Sequence, residues 1–449
     1  QDSEQQQKLM IASNDLPDAM EVDERTFRSL AEAGQLEDLT EVFEKYASPQ
    51  LKEYYASSEG KALEKATYDG KLMALPNLVP QADSAGVVWI RKDWLDKLGL
   101  QDPETLDDVE NIAKTFIAEN PGNHKDGTVG MTGSPDIASG SYTGMHTFKG
   151  LFNALNAYPM IWYRDDSGQL VYGSTTPEAK ASLAKIHDWY EQGLIDKEFA
   201  IRKSPDELVV SGRTGIFFGP WWAPWSVLGN AVMNDPNADW KPYMLKGSNG
   251  KINATVTPPS GWFLVVKKVF QHPEALVVNM NFKTKYERTP DAEDLKLDSS
   301  LFDALYPLRL ITIDYIDAVD RKHDAMMKAL NGQMSPDELT PEMKRVYEGW
   351  QRDQQNTGTR KLEDWQAGYA YIYGGAAVKQ IENKVFPIFT ASTPTMERRM
   401  TNLQKLENET YLKIVLGRLP VDAFDDFVND WNKQGGELIA KEIEEELAK

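Results

Sequence analysis

A cluster of aromatic residues in the middle of the chain is the clearest candidate for chemistry. The segment GPWWAPW, residues 219–225, places three tryptophans and two prolines in seven positions. Pro220 and Pro224 disfavour a regular helix or a central strand, so we expect a surface loop. An indole ring matches the apolar C–H face of a pyranose sugar, whose hydroxyl groups then need polar side chains nearby. The segment favours a carbohydrate site; the alternative is that these tryptophans fill the interface between two lobes.

The remaining reactive side chains form no recognisable catalytic motif. Five histidines are scattered along the chain, and neither a zinc-protease pair, a nucleophile elbow nor a complete P-loop is present in the sequence. The segment ENPGNHKDG, residues 119–127, lies where a calcium loop could lie, but Asp126 is the one carboxylate within the turn and Lys125 opposes a cation. We therefore expect no catalytic residue, no metal and no cofactor. A glycoside hydrolase stays open, because 69 acidic residues place some carboxylate pairs at a suitable separation.

Composition limits the partners and the architecture. The 449 residues carry a formal net charge of −20, which disfavours nucleic acid as a partner, and the absence of cysteine excludes disulfides and thiolate metal sites. This length predicts two or more domains. The longest uncharged run, residues 214–234, is interrupted by glycine and proline, so we expect no membrane span there. The N-terminal segment shows no secretion leader, which fits a cytoplasmic chain or a mature chain whose leader was removed.

Strands and helices alternate in the first part of the chain. Residues 9–12 favour a short strand that ends in a polar loop at residues 13–18. Residues 87–90 favour a buried strand, followed by a helix that ends near Gly99. This alternation predicts an α/β fold.

The middle of the chain continues the pattern. Residues 213–219 favour a strand that leads into the tryptophan segment, and residues 260–268 favour another strand before a helix that starts at Pro273. Residues 283–298 are the most polar segment, and we expect an exposed loop or a link between lobes there. Beyond about residue 300 the pattern is mostly helical.

Helix boundaries are marked by capping residues. Thr105 and Asp108 have the spacing of a capping box ahead of an amphipathic helix. A second helix is predicted to start with Thr176 as its N-cap and Pro177 in its first position, and to end at Gly193.

The order of these motifs resembles that of the extracellular solute-binding proteins of bacterial carbohydrate ABC importers. The resemblance is to the maltodextrin-binding type, and in particular to the lipoprotein-like oligosaccharide binders of Gram-positive bacteria. It rests on seven segments in order, which are LMIASNDLPD, YDGKLMALP, VVWIRKDWLDKLGL, PEAKASLAKIHDWYEQGLIDKEFA, GRTGIFFGPW, FTASTPTM and WNKQGG. It implies an α/β periplasmic-binding-protein type II fold, in which a hinge joins two lobes and ligand lies in the cleft between them.

The same resemblance implies how the chain is divided. The first lobe would comprise residues 1–135 and a return segment at 258–310. The second would comprise residues 136–257 and a largely helical completion at 311–449. Relatives carry a strand and a helix ahead of the segment at residues 9–18, so we expect contacts from that unit to lie outside this sequence.

The resemblance also implies site residues. Trp221 is the first candidate to stack on sugar, with Trp222 and Trp225 behind it. Asp15 and Asp18 would accept hydrogen bonds from sugar hydroxyls, although Asp18 could instead cap a turn. The other residues placed at the cleft or near it are Asn14, Tyr142, Trp162, Trp262, Thr393 and Thr395.

The function implied by the resemblance is the capture of an oligosaccharide. The two lobes would close around the ligand, and the closed protein would dock on the membrane permease of an ABC importer. The protein would be a monomer outside the cytoplasmic membrane, held by a lipid on a cysteine beyond this sequence. The alternatives are an extracellular glycoside hydrolase and a binder of peptides or small polar solutes on the same scaffold.

Overall fold

The computed structural model describes residues 9–11, 13, 15–138, 144–291 and 311–448. Its strands are β1 (Ala19–Asp23), β2 (Thr67–Tyr68), β3 (Lys71–Leu72), β4 (Leu75–Pro76), β5 (Gly86–Arg91), β6 (Trp162–Arg164), β7 (Leu170–Tyr172), β8 (Ile216–Pro220), β9 (Trp240–Tyr243), β10 (Asn253–Thr255), β11 (Trp262–Val266) and β12 (Asn383–Val385).

The α-helices of the described residues are α1 (Glu24–Glu32), α2 (Thr40–Tyr46), α3 (Pro49–Ala56), α4 (Lys61–Lys65), α5 (Lys92–Leu98), α6 (Leu106–Glu119), α7 (Lys149–Ala154), α8 (Pro177–Glu191), α9 (Asp206–Val210), α10 (Val227–Asn234), α11 (Glu274–Arg288), α12 (Ala318–Leu330), α13 (Pro341–Gln355), α14 (Leu362–Tyr369), α15 (Gly375–Val378), α16 (Pro394–Val415), α17 (Ala423–Trp431) and α18 (Glu437–Leu447). A wide helical turn at Ala370–Gly374 joins α14 to α15.

The chain divides into two compact units. Within the described ranges, the first unit comprises Gln1–Gln81, Pro258–Ala318 and Thr340–Glu342, and the second comprises Ala82–Thr257, Val319–Leu339 and Met343–Lys449. The division implied by the resemblance shares the boundary at 257/258. It differs at 135/136, where the structure has 81/82, because β5 is hydrogen-bonded to β8 and β9 of the second unit. It also differs at 310/311, where the structure has 318/319.

The first unit is built on a three-stranded antiparallel sheet with β11 in the centre, between β1 and β4. Trp262 and Phe263 are successive residues of β11, so their side chains leave opposite faces of the sheet. Phe263 is buried and stacks on Phe27 of α1, with 5.0 Å between ring centroids, whereas Trp262 is exposed. The sheet therefore anchors one aromatic residue in the core and presents its neighbour at the surface.

The second unit has a three-stranded antiparallel sheet with β5 in the centre, between β8 and β9. Every residue of β5 and β8 is buried, as expected of strands that are covered on both faces. One apolar cluster includes Trp89 and Trp365, and another includes Phe152 and Trp431. The hairpin β6–β7 and the parallel pair β10–β12 also belong to this unit.

Local sequence signals predicted several of these elements correctly. The strand expected at 87–90 is β5, and α5 follows it and ends at Leu98, with Gly99 as its C-cap. At the start of α6, Asp108 N–H donates to Thr105 Oγ1 at 3.3 Å and Thr105 N–H donates to Asp108 Oδ2 at 2.9 Å, which confirms the capping box. Thr176 is the N-cap of α8, and its hydroxyl oxygen accepts a hydrogen bond from Ala179 N–H.

Two local predictions were wrong. Residues 9–11 are helical rather than extended, and Ser13 closes the turn by donating from its backbone N–H and from Oγ to the Leu9 carbonyl oxygen, both at 2.9 Å. A run of so few apolar residues fits a helical turn as well as a strand. Residues 283–288 form the last turns of α11 rather than a loop, and residues 292–298 of that polar segment lie outside the described residues.

The long uncharged run at residues 214–234 contains β8, a tight turn and α10 in succession. Pro220 ends β8 and Pro224 lies in the turn, as the sequence predicted, whereas Gly229 lies inside α10. Within the described ranges, no helix is both long enough and apolar enough to cross a membrane.

Candidate functional site

The tryptophan segment follows β8 in the second unit, and its first indole is buried. Trp221 is 4% exposed, which corrects the expectation that all three tryptophans lie on a surface loop. Its Nε1 donates a hydrogen bond to Asp83 Oδ1 at 3.1 Å, so the polar edge of the ring is satisfied inside the unit. Pro220 ends β8 and its carbonyl oxygen accepts from Trp89 Nε1 at 2.9 Å, which fixes the entry to the segment.

A close helix explains why Trp221 is buried. The ring of Tyr371 lies 5.7 Å from the Trp221 ring at an angle of 31°. The wide turn that carries Tyr371 ends at Gly374, where a Cβ atom would lie 2.5 Å from the Trp221 carbonyl oxygen. Only glycine permits this approach without a backbone shift, so the sequence YGG allows the helix to cover the indole.

Trp225 provides the accessible surface of the segment. It is 38% exposed, and its ring stands edge-on to both neighbours, 5.6 Å from Trp221 at 89° and 5.4 Å from Tyr371 at 73°. Trp222 is half-buried, and its Nε1 donates to the Asp83 carbonyl oxygen at 3.4 Å. We call the group formed by Trp221, Trp222, Trp225 and Tyr371 the aromatic platform.

Charged and polar groups border the aromatic platform. Lys322 Nζ lies 5.5 Å from the centroid of the Tyr371 ring, a cation–π distance, and His323 Nδ1 lies 3.0 Å from the Tyr371 carbonyl oxygen. The Asp83 carboxylate is buried beneath the platform. The arrangement combines flat apolar faces with nearby charge, which is the composition expected of a sugar site.

The first unit presents a second anchored tryptophan. Trp262 is 52% exposed at the start of β11. The Oδ1 of buried Asn77 accepts hydrogen bonds from Gly261 N–H at 2.9 Å and from Trp262 N–H at 3.0 Å, and Asn77 N–H donates to the Trp262 carbonyl oxygen at 2.9 Å. The backbone beneath this indole is therefore fixed before any ligand arrives.

The structure describes both candidate aspartates of the first unit. Asp15 and Asp18 are exposed. The Asp15 N–H donates to the Met10 carbonyl oxygen, and the Asp18 carbonyl oxygen accepts from Lys267 N–H, both at 3.0 Å. Asn14 and Tyr142, which the resemblance placed at the cleft, lie outside the described residues.

Three candidates of the second unit, Trp162, Thr393 and Thr395, are buried. Trp162 packs on Tyr172 and Trp431, with ring centroids 5.1 and 5.8 Å away, because alternate residues of β6 face inward. Thr393 caps α16, since its hydroxyl oxygen accepts from Met396 N–H at 3.2 Å. Trp162 therefore packs in the core and Thr393 caps a helix, and the sequence revealed neither structural role.

Thr395 is likewise held by the core. Its hydroxyl donates to Glu442 Oε1 at 2.7 Å and its N–H donates to Oε2 at 3.0 Å. Burial raises the pKa of Glu442, but the hydrogen bonds from Thr393 and Thr395 outweigh it, and the pKa falls below its ordinary value. Thr395 therefore joins α16 to α18.

The segment considered for calcium is closed by hydrogen bonds of the Asn120 side chain. Asn120 Oδ1 accepts from His124 N–H at 3.2 Å and from Thr128 Oγ1 at 2.9 Å, and its Nδ2 donates to the His124 carbonyl oxygen at 2.9 Å. In the part of the chain that the structure describes, no three histidine or carboxylate side chains are grouped so as to hold a metal.

Sequence reasoning missed Tyr371, Lys322 and Asp83 as members of this site. Tyr371 and Lys322 come from helical segments about 150 and 100 residues after the tryptophan segment, so no local pattern joins them. The one available signal was the paired glycine in IYGGAA, which is typical of a close approach between a helix and another backbone.

Comparisons with known proteins agree with this architecture. The model of the family described as bacterial extracellular solute-binding protein matches residues 1–283. The lipoprotein LipO of Bacillus subtilis (strain 168) is 23% identical over 448 residues, which covers 97% of this chain and 82% of the relative. The polygalacturonan/rhamnogalacturonan-binding protein YtcQ of the same organism is 24% identical over 398 residues, 84% of this chain and 70% of the relative.

A third relative is similar over a shorter stretch. The fructooligosaccharide ABC transporter substrate-binding protein FusA of Streptococcus pneumoniae serotype 4 (strain ATCC BAA-334 / TIGR4) is 30% identical over 240 residues, 48% of this chain and 42% of the relative.

Solved structures establish the fold. An extracellular solute-binding protein from Bifidobacterium longum subsp. infantis superposes with a TM-score of 0.66 at 17% identity, over 97% of this chain and 88% of that one. A human-milk-oligosaccharide (HMO) binding solute-binding protein associated with an ABC transporter, from Bifidobacterium longum infantis ATCC 15697, gives 0.64 at 17% identity over the same shares. The α/β periplasmic-binding-protein type fold predicted from the sequence is confirmed.

Proposed function

The chain belongs to the bacterial extracellular solute-binding protein family, and we propose that it is the oligosaccharide-binding component of an ABC importer. The names of YtcQ, a polygalacturonan/rhamnogalacturonan-binding protein, and of FusA, a fructooligosaccharide ABC transporter substrate-binding protein, support a saccharide ligand. The name of FusA supports a membrane permease as the partner. The name of LipO supports a lipid anchor that holds the protein outside the membrane.

The observation that carries this proposal is the state of the tryptophans. All twelve lie within the described residues, and two of them, Trp225 and Trp262, have exposed side chains. Each is fixed in its own unit, Trp225 by Trp221 and Tyr371, and Trp262 by Asn77. Apolar surface of this size is normally buried, and an indole held rigid loses little entropy when a sugar stacks on it.

The roles follow from exposure. Trp225 and Trp262 stack on pyranose or furanose faces, while Trp221 and Trp222 hold Trp225 in place. Asp15 and Asp18 accept hydrogen bonds from sugar hydroxyls, which exposed carboxylates do well. A micromolar complex needs about −8 kcal/mol, which a few stacked rings and several hydrogen bonds supply after the ordering cost.

The protein acts by binding alone, as a monomer, without catalysis, cofactor or nucleic acid. The net charge of −20 disfavours nucleic acid, and family membership supports solute binding rather than bond cleavage. The hydrolase and the peptide binder are the less favoured functions, because the relatives with named ligands bind carbohydrate.

Calorimetry with a defined panel tests the proposal. Kestose, maltotriose and trigalacturonate are titrated into the wild-type protein and into the Trp225→Ala, Trp225→Phe and Phe282→Ala variants. We expect at least one sugar to bind with micromolar Kd, and Trp225→Ala to weaken it about tenfold or more. Trp225→Phe retains most of the affinity because a ring remains. Phe282→Ala, which removes another exposed aromatic residue, leaves it unchanged.

Two outcomes would contradict the proposal. A folded wild-type protein that binds none of the three sugars would remove its basis. Recovery of shortened sugars by chromatography after incubation would favour the hydrolase, since a carrier returns its ligand intact.

A further inference from the structure

The second unit contains a groove of about 740 Å³ that shares no lining residue with the aromatic platform. The hairpin β6–β7 forms one wall, the segment from β12 to Ile388 forms another, and the first turn of α8 closes one end. The volume lies within the range of about 300 to 1,000 Å³ that is typical of small-molecule sites.

The register of the hairpin decides which side chains face the groove. Trp162 pairs with Tyr172, and both are buried in the core. The next pair along, Tyr163 and Val171, leaves the opposite face of the hairpin and lines the groove. Tyr163, which directly follows the candidate Trp162 in the sequence, therefore forms an aromatic wall of the groove.

Further apolar groups complete this wall. Tyr158 meets Tyr163 edge to face, with 5.3 Å between ring centroids and 88° between planes. Phe386 and Ile388 line the groove with side chains that are 40% and 39% exposed. Gly173 lets Tyr158 take its position, because a Cβ atom there would lie 1.7 Å from the Tyr158 carbonyl oxygen.

A network of asparagine side chains lies along another side. Asn253 is 1% exposed and is its centre: its Nδ2 donates to Asn156 Oδ1 at 2.9 Å, and its Oδ1 accepts from Asn383 Nδ2 at 2.9 Å and from Asn249 Nδ2 at 3.2 Å. Asn156, Asn249 and Asn383 line the groove. Their orientation is set by hydrogen bonds to the buried Asn253 side chain, so the groove has positioned amide groups before any ligand enters.

Charge in the groove is mixed and slightly acidic. Asp165, Asp166 and Glu178 line it, together with Arg164 and Lys384. The Arg164 guanidinium is already paired with Glu444, with Nη2 to Oε2 at 2.7 Å. Burial, reinforced by Glu178, raises the pKa of the Tyr163 hydroxyl, which stays protonated at neutral pH and is available as a hydrogen-bond donor.

We propose that this groove is a second ligand site, which binds a short neutral saccharide between the Tyr163–Phe386 wall and the asparagine network. Apolar rings facing sugar C–H groups, with fixed amides and carboxylates for the hydroxyls, are the chemistry that such a ligand needs. The carboxylates disfavour an anionic sugar. The choice of a saccharide rests on the proposed function, whereas the groove itself rests on its own geometry.

The test isolates the groove from the aromatic platform. Full-length protein carrying Trp225→Ala is labelled with 3-fluorotyrosine, and the ¹⁹F signals of Tyr158 and Tyr163 are assigned with Tyr158→Phe and Tyr163→Phe. Glucose, maltotriose, kestose and trigalacturonate are then titrated to millimolar concentration. We expect a neutral sugar to shift both signals, Phe386→Ser to weaken that binding about fivefold, and Phe282→Ala to leave it unchanged.

The outcomes separate the two proposals. If a sugar binds wild-type protein by calorimetry but none shifts the Tyr158 and Tyr163 signals, the groove proposal is overturned and the function stands. If no sugar binds in either experiment, both fail. If trigalacturonate shifts the signals more strongly than the neutral sugars, the charge argument is wrong and the site is not the neutral-sugar site proposed. Phe386 is exposed, so its replacement reports on binding without loss of the fold.

Discussion

Glu407 of α16 gives the sharpest prediction about stability, because it is a carboxyl group with no exposed surface. Its Oε2 accepts a hydrogen bond from the Tyr172 hydroxyl at 2.9 Å. Burial raises its pKa to about 7 from an ordinary value of 4.5, while the polar neighbours Ser174 and Tyr172 oppose the rise and Asp136 adds to it. The carboxyl group is therefore held as the neutral acid in mildly acidic solution.

The sign of the effect follows from proton binding. Between pH 4.5 and about 7 the folded protein holds a proton on Glu407 that the unfolded chain releases, so stability falls as pH rises through this window. At about 1.36 kcal/mol per pKa unit, the free energy of unfolding falls by about 3 kcal/mol across this window. Glu407→Gln keeps the shape and carries no charge at any pH. We expect this variant to be about as stable as wild type at pH 4.5 and more stable than wild type by up to about 3 kcal/mol at pH 8.

Urea denaturation of both proteins at pH 4.5, 6, 7 and 8 measures this difference. Glu442→Gln is the matched control with the opposite sign, because the pKa of Glu442 lies below its ordinary value. That stabilisation is present above pH 4.5 and is lost only below it, so Glu442→Gln is expected to destabilise by a nearly constant amount from pH 6 to pH 8, in contrast to the pH-dependent effect of Glu407→Gln. A difference between Glu407→Gln and wild type that stays constant with pH would refute the reasoning.

The remaining predictions concern the backbones under the two tryptophan sites. Gly374→Ala places a Cβ 2.5 Å from the Trp221 carbonyl oxygen. We expect the free energy of unfolding, measured by urea denaturation, to fall by about 1–3 kcal/mol. Gly358→Ala, whose Cβ would meet no atom within 4 Å, should change little, and equal effects would contradict the packing argument. Asn77→Ala leaves Gly261 N–H and Trp262 N–H without their acceptor, and the expected loss in the same assay is about 1–3 kcal/mol. Unchanged unfolding would mean that Asn77 does not hold this turn.

Local structure was predictable from the sequence where a single short pattern determines it. The Thr105–Asp108 capping box and the β5–α5 unit were found because cap residues and apolar periodicity act within a few positions. The order of motifs indicated the family over more than half of the chain, and the family model covers residues 1–283. The boundary at 81/82 was not predictable in this way, because it depends on the pairing of β5 with strands more than 120 residues later.

The exposure of individual aromatic residues was the part that the sequence did not determine. Two prolines correctly excluded regular structure at Trp221, but a loop is buried when a distant helix covers it, and here Tyr371 does so. At β6 the sequence singled out Trp162, which is buried, whereas the next residue, Tyr163, lines the groove. A change of one position exchanges the two faces of a strand, and no single-sequence pattern fixes that choice in a three-residue strand.

The same arrangement recurs at three aromatic surfaces of the described residues. Exposed Trp262 follows the turn held by Asn77 and precedes buried Phe263, and exposed Trp225 leans on buried Trp221. In the groove, half-buried Tyr163 follows buried Trp162. An accessible ring beside an anchored one loses less conformational entropy on binding than an isolated ring would, so more of the stacking energy remains as affinity. If the exposed rings bind sugar as proposed, their buried aromatic neighbours contribute without touching the ligand, and we expect substitution of those neighbours to weaken binding by loosening the exposed ring.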